Sequence, residues 1–308
     1  MPLRFRRRFA LIATTLLIAS ATACDDDTDA EEPEIDRSEL DGLDADHHGL
    51  SLSVDEFNYV HVCMLDDEEV YCWGDDEDGQ IDAPDEDFRD VAVGGRHSCA
   101  IDTEDQLHCW GFDSDDGRAT PPEGTFRQVS LGSSHSCAID DEHDLHCWGS
   151  NATFNQASPP EGVFRQVDAG GHHNCAIDHD QRVQCWGALL YNQGNAPEDV
   201  AFHQISSGVR DTCGLDEEGT IHCWGRSRGI QVDVPEGSFE QLSLGVSHAC
   251  ALDSDGQLTC WGSDSHGQAS PPQGTFVEVR AGQSLSCALS DGGGVDCWGK
   301  EPGMQLEE

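Results

Sequence analysis

The tripeptide Cys-Trp-Gly recurs seven times in this chain and uses every tryptophan that the chain has. The spacings between copies are 37, 38, 38, 38, 37 and 37 residues. The copies begin at Cys72, Cys109, Cys147, Cys185, Cys223, Cys260 and Cys297. A period held this closely identifies a repeat architecture, in which each copy is one unit that stacks on its neighbours. The repeat therefore constrains the fold before any local propensity is considered.

The second copy shows what one repeat contains. Its apolar runs lie at 88–94, 97–102 and 107–111 and are separated by Gly, Asp and Pro. Short runs with rough alternation and such breaks are typical of β-strands, and no helical period occurs after residue 50. We count three clear strands and one weak strand per copy. At this repeat length, that number of strands predicts the blade of a β-propeller.

Two positions in each copy predict turns. Glu218-Gly219 and Asp255-Gly256 are favoured hairpin pairs between the second and third strands. Aspartates recur after the second strand and are interpreted as turn formers rather than catalytic groups: Asp102, Asp140, Asp178, Asp216 and Asp253. A glutamine later in the copy follows a residue that accepts a left-handed backbone: Gly79, Asn155, Asn192 or Gly267.

The pattern Gly94-x-x-His97-Ser-Cys-Ala-Ile-Asp, followed by Leu-x-Cys-Trp-Gly and then Gly-Gln, resembles the repeat of the RCC1 (regulator of chromosome condensation) family. The resemblance recurs through residues 50–308 and implies an all-β, seven-bladed β-propeller over that range. The copies are shorter than the usual family repeat and carry paired cysteines. In this they resemble a bacterial branch that includes a secreted β-lactamase-inhibitor protein. The constant spacing leaves no room for the wedge insertion on which the exchange-factor activity of eukaryotic members relies.

Copy one departs from the pattern. Eleven residues before the first cysteine, six copies have phenylalanine, whereas copy one has Leu52 at that offset. By the same count, its glycine position holds Asn58. We expect the segment around 50–57 to form a strand that docks beside the last blade or completes the first, and so closes the ring.

Fourteen of the 15 cysteines fall into pairs inside the copies: Cys63/Cys72, Cys99/Cys109, Cys137/Cys147, Cys175/Cys185, Cys213/Cys223, Cys250/Cys260 and Cys287/Cys297. In a hairpin centred on residue 104, Cys99 lies opposite Cys109 at a distance that a disulfide can bridge. Zinc is the alternative, but structural zinc prefers two closely spaced pairs, and these pairs are widely spaced and belong to separate blades. We predict one disulfide per blade, no metal site and no cofactor.

The neighbouring Trp110 points to the opposite face of its strand from Cys109. In a stacked ring, the tryptophan of one blade should therefore face the disulfide side of a neighbouring blade.

The N-terminal residues predict export. Arginines and then an apolar run fill residues 1–23, as in a signal peptide. The end of this run, Ala21-Thr-Ala-Cys24, resembles a bacterial lipobox, so Cys24 is the predicted lipidation site; simple cleavage that leaves a free thiol is the alternative. Residues 24–49 are predicted to be an acidic, disordered linker, because 12 of the 22 residues from Asp25 to Asp46 are Asp or Glu.

The net charge of −44 excludes nucleic acid as a partner, because no basic stripe offsets phosphate repulsion. No segment after the leader could span a bilayer. We therefore expect a monomer outside the cytoplasm, attached to a bacterial cell envelope through a lipid anchor alone, with secretion as the alternative.

Histidine recurs two residues before the first cysteine, at His61, His97, His135, His173 and His248. Asp211 and Leu285 interrupt the set, so we interpret these histidines as structural groups that satisfy the backbone at the start of a strand. No catalytic motif is found, and no catalytic residue is predicted.

Residues that break the repeat on one rim are the better functional candidates. The predicted partner-binding residues are Arg96, His172, Leu189, Leu190, Tyr191, Arg210, Arg226 and Arg228. Aromatic, aliphatic and arginine side chains together suit protein contacts. The favoured function is a non-catalytic scaffold that binds a protein or a glycan. The alternatives are a secreted enzyme inhibitor, and a hydrolase or lyase with its site at the channel mouth.

Overall fold

The computed structural model describes residues 49–53, 60–226, 230 and 233–300, and in this part of the chain it has seven three-stranded antiparallel sheets. Each sheet is one blade of an all-β propeller, as predicted. Blades 1 to 4 are β1 Leu50–Leu52, β2 His61–Asp66, β3 Glu69–Gly74; β4 Phe88–Val93, β5 His97–Asp102, β6 Leu107–Gly111; β7 Phe126–Leu131, β8 His135–Asp140, β9 Leu145–Gly149; and β10 Phe164–Ala169, β11 His173–Asp178, β12 Val183–Gly187. Blades 5 to 7 are β13 Phe202–Ser207, β14 Asp211–Asp216, β15 Ile221–Gly225; β16 Gln241–Leu244, β17 His248–Leu252, β18 Leu258–Gly262; and β19 Phe276–Ala281, β20 Leu285–Ser290, β21 Val295–Gly299.

The hairpin between the second and third strands forms for a local reason. The Asp102 carboxylate accepts hydrogen bonds from the backbone N–H groups of Glu104 and Gln106, both at 2.8 Å. The turn then needs a left-handed residue, which is Asp105 in blade 2 and Gly219 and Gly256 in blades 5 and 6. The interpretation of the recurrent aspartates as turn formers is confirmed.

The expected fourth strand does not form in the described residues. After the third strand the chain turns instead. A glutamine is buried in this segment in four blades, and in three of them, at Gln80, Gln193 and Gln268, its side chain closes the turn. In blade 1 the Gln80 side chain accepts the N–H of Asp78 at 2.8 Å, and the intervening Gly79 has φ +74°. This local bond replaces the backbone pairing that a fourth strand would need.

A disulfide joins the second and third strands of every blade. In blade 2, Cys99 pairs directly with Cys109 in the strand register, and their Cα atoms lie 4.0 Å apart. The seven disulfides are Cys63–Cys72, Cys99–Cys109, Cys137–Cys147, Cys175–Cys185, Cys213–Cys223, Cys250–Cys260 and Cys287–Cys297. The predicted pairing is confirmed. Disulfides in this number indicate an oxidising environment outside the cytoplasm.

Each tryptophan packs on the disulfide of the preceding blade, as predicted. Trp110 of blade 2 lies in one apolar cluster with Cys63 and Cys72 of blade 1. Its indole N–H also donates to the Gln80 carbonyl of blade 1 at 2.9 Å. The same bond to the preceding blade recurs from Trp148, Trp186, Trp224, Trp261 and Trp298. One side chain therefore supplies both apolar burial and a directional contact between blades.

The recurrent histidines are structural, but their partners are side chains of the next blade rather than the backbone. His61 Nε2 lies 2.8 Å from the Ser98 hydroxyl, which donates its own proton to the Gln80 carbonyl. Ser98 must therefore accept from His61, which places the imidazole proton on Nε2. The other four histidines make the corresponding bond: His97–Ser136, His135–Asn174, His173–Thr212 and His248–Ser286.

Burial keeps these imidazoles neutral. It lowers the pKa of His61 and of His248 to about 4, and that of His173 to about 3. The glycine three residues before His97, His135, His173 and His248 has a matching steric role. A Cβ on Gly94 would lie 2.6 Å from the His97 ring and 2.6 Å from the Gly132 carbonyl oxygen.

Leu285 does not break this interface, because its neighbour changes with it. Position 62 of blade 1 is the counterpart of Ser98, and it holds Val62. Leu285 and Val62 are buried in the same apolar cluster. This contact between the last blade and the first is therefore apolar, whereas the corresponding contact is polar at five other interfaces between blades.

The ring closes through β1, and the offset assumed for copy one was wrong. Leu52 pairs with Val62, which places it at the position of Val93 in blade 2 rather than at that of Phe88. The glycine position accordingly falls on Ser53, which is separated from His61 by seven residues, whereas two residues separate Gly94 from His97. The expectation that this segment completes the first blade is confirmed. The Arg280 side chain of blade 7 donates to the Leu50 carbonyl at 3.0 Å, which joins the last blade to the first.

Candidate binding surface on one rim

The turns between first and second strands form one rim of the propeller. In blade 2 the turn 94–96 is closed by a hydrogen bond from Gly94 N to His97 O at 2.8 Å. The residue after the third strand reaches the same turn, because Phe112 N donates to Arg96 O at 2.9 Å. Each blade thus presents two short segments side by side on this rim.

Neighbouring blades also meet on this rim. The residue two positions before the buried glutamine contacts the turn of the following blade. Arg96 Nε donates to the Asp78 carboxylate at 2.6 Å. The rings of Phe154 and His172 lie 5.7 Å apart, and the Arg210 guanidinium lies 5.7 Å from the Tyr191 ring. The chemistry of this contact changes from blade to blade, whereas the backbone geometry repeats.

Blades 3 to 5 join these contacts into one continuous surface, which we call the rim strip. Ala188 N donates to the His172 carbonyl at 2.9 Å, which holds the loop 188–191 against the turn of its own blade. Arg226 N donates to the Arg210 carbonyl at 3.1 Å in the same way. The rim strip consists of Phe154, His172, Leu189, Leu190, Tyr191, Arg210 and Arg226.

The rim strip exposes large apolar side chains. Leu190 is 75% exposed, Tyr191 44% and Leu189 39%. The Tyr191 ring lies within 6 Å of two guanidinium groups, with Arg210 at 5.7 Å and Arg226 at 5.8 Å. An exposed aromatic flanked by two arginines is a rare positive, apolar feature on a chain of net charge −44.

The structure brings together six of the predicted binding residues. Arg96 lies apart in blade 2, where it contacts Asp78 and lies 4.4 Å from the Phe112 ring. Arg228 lies outside the described residues. Phe154 was not predicted, since nothing in its own copy marks it; only the contact with His172 of the next blade reveals it.

The central channel is lined by polar side chains that hold neighbouring inner strands together. The channel encloses about 110 Å³. The Gln128 amide accepts from Val167 N at 2.9 Å and donates to Val167 O at 3.1 Å. Gln166 bonds to both backbone groups of Ile205 in the same way. This polarity is explained by contacts between blades. The groups with shifted pKa are the histidines buried between blades, the turn aspartates, Tyr71 on β3 and Asp116 in the loop after β6, and none of them is among the residues that line the channel.

No helix long and apolar enough to cross a bilayer occurs in the described ranges. The predicted signal peptide, the lipidation site at Cys24 and residues 24–48 of the predicted linker lie outside them. The last linker residue, Gly49, is described and accepts a hydrogen bond from Leu65 N at 2.6 Å.

Three segments match a protein-family model described as the regulator of chromosome condensation (RCC1) repeat, at residues 88–118, 126–156 and 239–268. No curated protein sequence matches the chain significantly.

Solved propellers share the fold. The ectodomain of the Physcomitrella patens receptor kinase CR4 is 25% identical with a TM-score of 0.72, over 82% of this chain and 73% of that one. The CRINKLY WD40 ectodomain of the Arabidopsis thaliana receptor kinase ACR4 is 24% identical with a TM-score of 0.68, over 82% and 96%. Prp20p of Saccharomyces cerevisiae, whose structure was reported with its binding properties to Gsp1p and histones, is 17% identical with a TM-score of 0.62, over 75% and 81%.

Proposed function

This chain is an RCC1-like repeat β-propeller, and we propose that it is a non-catalytic scaffold outside the cytoplasm that binds a protein partner through the rim strip. The observation that carries the proposal is the exposure of Leu190, at 75%, beside Tyr191 and its two arginines. Tyrosine and arginine are enriched among the residues that dominate protein interfaces.

Two further observations support a protein partner. Leu189, Leu190 and Tyr191 are contiguous and exposed, so a partner could bury all three with little rearrangement of the propeller. Prp20p, which has the same fold, binds the proteins Gsp1p and histones. The arginines favour a partner that presents carboxylates near its apolar contact, because such pairing adds specificity.

The location of the protein is inferred from its cysteines and its leader. The seven disulfides need an oxidising compartment, and a propeller of this fold occurs in the ectodomain of a plant receptor kinase. We propose that Cys24 carries the lipid anchor and that the acidic linker holds the propeller away from the membrane.

The rim strip is tested by site-specific photo-crosslinking in the producing cell. We expect a crosslinker at position 190 to capture a defined protein. The matched controls are positions 163 and 277, because Val163 and Val277 are 48% and 52% exposed and lie near the start of a first strand, towards the opposite rim. Equal capture of the same protein from all three positions would contradict the proposal.

The captured partner then permits an affinity measurement. We expect L190S/Y191S to weaken its binding about thirtyfold, because two central contact residues contribute about 1 kcal/mol each. The melting temperature should hardly change, since exposed substitutions are usually within about 0.5 kcal/mol. The control V163S/V277S should bind as the wild type does. Undiminished binding by L190S/Y191S would refute the role of the rim strip.

The anchor is tested separately. We expect Cys24→Ser to move the protein from the membrane fraction to the soluble fraction, because a serine cannot be acylated as the lipobox cysteine is. Fractionation and the intact mass of the mature protein measure this. Membrane association that survives the substitution, with a wild-type mass lacking acyl chains, would refute lipidation while leaving the rim strip untouched.

A further inference from the structure

A histidine pairs with the turn aspartate in three hairpins. His108 Nε2 lies 2.7 Å from the Asp102 carboxylate, and the corresponding distances are 2.7 Å for His146–Asp140 and 2.8 Å for His222–Asp216. The pair on its own is therefore a repeated feature of the hairpin. These hairpins lie on the edge of the blade opposite the rim strip, because the second strand runs from the rim turn to the hairpin.

Among the described residues, blade 2 alone adds a third group to the pair. The Glu86 carboxylate lies 3.2 Å from His108 Nε2. The residue two positions before the first-strand phenylalanine is small or apolar in the other five copies with that phenylalanine: Gly124, Gly162, Val200, Gly237 and Gly274. The Glu86 loop is held beside the hairpin, because Thr103 N donates to Asp87 O at 3.1 Å.

Each of the three side chains places one potential metal-ligand atom close to those of the other two. One atom each from Glu86, Asp102 and His108 lies within 4.8 Å of the other two. A single imidazole proton cannot satisfy two carboxylates fully, yet both lie within hydrogen-bonding distance of His108 Nε2. The His108 ring is held edge-on to Phe88, with centroids 5.7 Å apart.

The two oxygens of the Asp102 carboxylate have different partners. One oxygen is committed to the turn, and the other faces His108.

We propose that Glu86, Asp102 and His108 form a binding site for a divalent transition-metal ion, for which Zn²⁺ is the best fit. An imidazole nitrogen with two carboxylate oxygens suits Zn²⁺, whereas Ca²⁺ and Mg²⁺ take oxygen ligands. The ion takes the place of the proton on Nε2, which moves to Nδ1 or to solvent. The side chains of Glu86, Asp102 and His108 are 49%, 14% and 28% exposed, so an ion can enter and water can fill the fourth position. This site replaces the expectation of no metal.

The experiment is a Zn²⁺ titration of the tag-free, disulfide-bonded protein in excess Ca²⁺ and Mg²⁺, which occupy the acidic surface. Histidine imidazole resonances are followed by NMR, and affinity is measured by calorimetry. We expect one tight equivalent that shifts His108 and leaves His146 and His222 unchanged.

Three variants test the ligand set. E86Q and H108Q should each weaken binding of the tight equivalent about tenfold or more. H108Q is a mild change, because blade 4 has Gln184 at this position. The matched control H146Q removes a His–Asp pair that lacks the third carboxylate, and it should bind Zn²⁺ as the wild type does. Wild-type affinity in E86Q, or equal shifts of His108 and His146, would overturn the proposal; unchanged melting temperatures confirm that the variants are folded.

Discussion

Reduction of all seven disulfides is expected to leave the chain unable to maintain its propeller at about 37 °C. Each disulfide closes a loop of 9 or 10 residues. In the chain-entropy model, such a loop contributes about 2–3 kcal/mol. Seven contributions do not add fully, but even half their sum is comparable to the net stability of about 5–15 kcal/mol that a whole domain has.

The native protein should nevertheless resist reduction. The first cysteine of every pair is buried, and the tryptophan of the next blade packs on it, as Trp110 does on Cys63. A thiol reductant should therefore react only after blades separate. Alkylation with mass spectrometry should find few free thiols in native buffer and fourteen after reduction in denaturant. After the denaturant is removed, the near-ultraviolet circular dichroism of the tryptophans should remain that of an unfolded chain. A fully reduced protein with native dichroism and melting temperature would contradict this prediction.

Acidification from about pH 6.5 to about pH 4 is expected to destabilise the propeller strongly. In this range the unfolded chain binds protons at histidine, whereas the buried neutral histidines of the native state do not. Stability therefore falls as the pH falls through this range. For His61, whose pKa burial lowers from 6.5 to about 4, the loss is about 3 kcal/mol at 1.36 kcal/mol per pKa unit.

Carboxylates also change the stability of the protein during acidification, but their effect can be distinguished from that of the buried histidines. Burial on its own would raise the pKa of Asp102, Asp140 and Asp216, but hydrogen bonds from turn amides and histidines outweigh burial and lower it. The stability that these carboxylates contribute is therefore lost at a lower pH than the range in which the histidines act. Protonation of other carboxylates also relieves the repulsion of a chain with net charge −44. A variant with one fewer buried histidine isolates the histidine effect.

The matched variant is H248L/S286V, which copies the apolar Leu285–Val62 contact into another interface. It removes one titrating group, whose pKa burial lowers to about 4. The free energy of unfolding, measured by urea titration from pH 4 to pH 7.5, should vary less with pH in this variant than in the wild type, by about 3 kcal/mol at the acid end. Equal pH dependence in the two proteins would show that the buried histidines do not control acid stability.

The repeat made much of the fold predictable because the determinants are local. Cys99 and Cys109 lie opposite each other once the turn at 102–106 is recognised, and the period carries that pairing to the other copies. The alternation of a strand was enough to place Trp110 on the face away from its own disulfide and against that of a neighbouring blade, which the structure identifies as the preceding one. The left-handed positions followed from Gly and Asn, whose backbones adopt this conformation at low cost.

The predictions that were wrong or incomplete relied on residues within one copy, at positions where contacts elsewhere in the fold decide the structure. A fixed offset fails for copy one because seven residues separate Ser53 from His61, whereas two separate Gly94 from His97, so Leu52 takes the place of Val93 rather than Phe88. The weak fourth strand did not form because Gln80 satisfies the backbone of its own segment. The recurrent histidines were correctly interpreted as structural, but their hydrogen-bond partners could not be identified within one copy.

The sequence by itself determined the seven units, their hairpins, the cysteine pairing and the face that each tryptophan presents, because residues within about ten positions of each other settle these features. Only the tertiary structure decided which residues meet between blades or across loops. Leu285 meets Val62, Tyr191 lies between Arg210 and Arg226, and Glu86 reaches His108. These contacts depend on how stacked blades and distant loops bring side chains together, and a period along the chain carries no information about that arrangement.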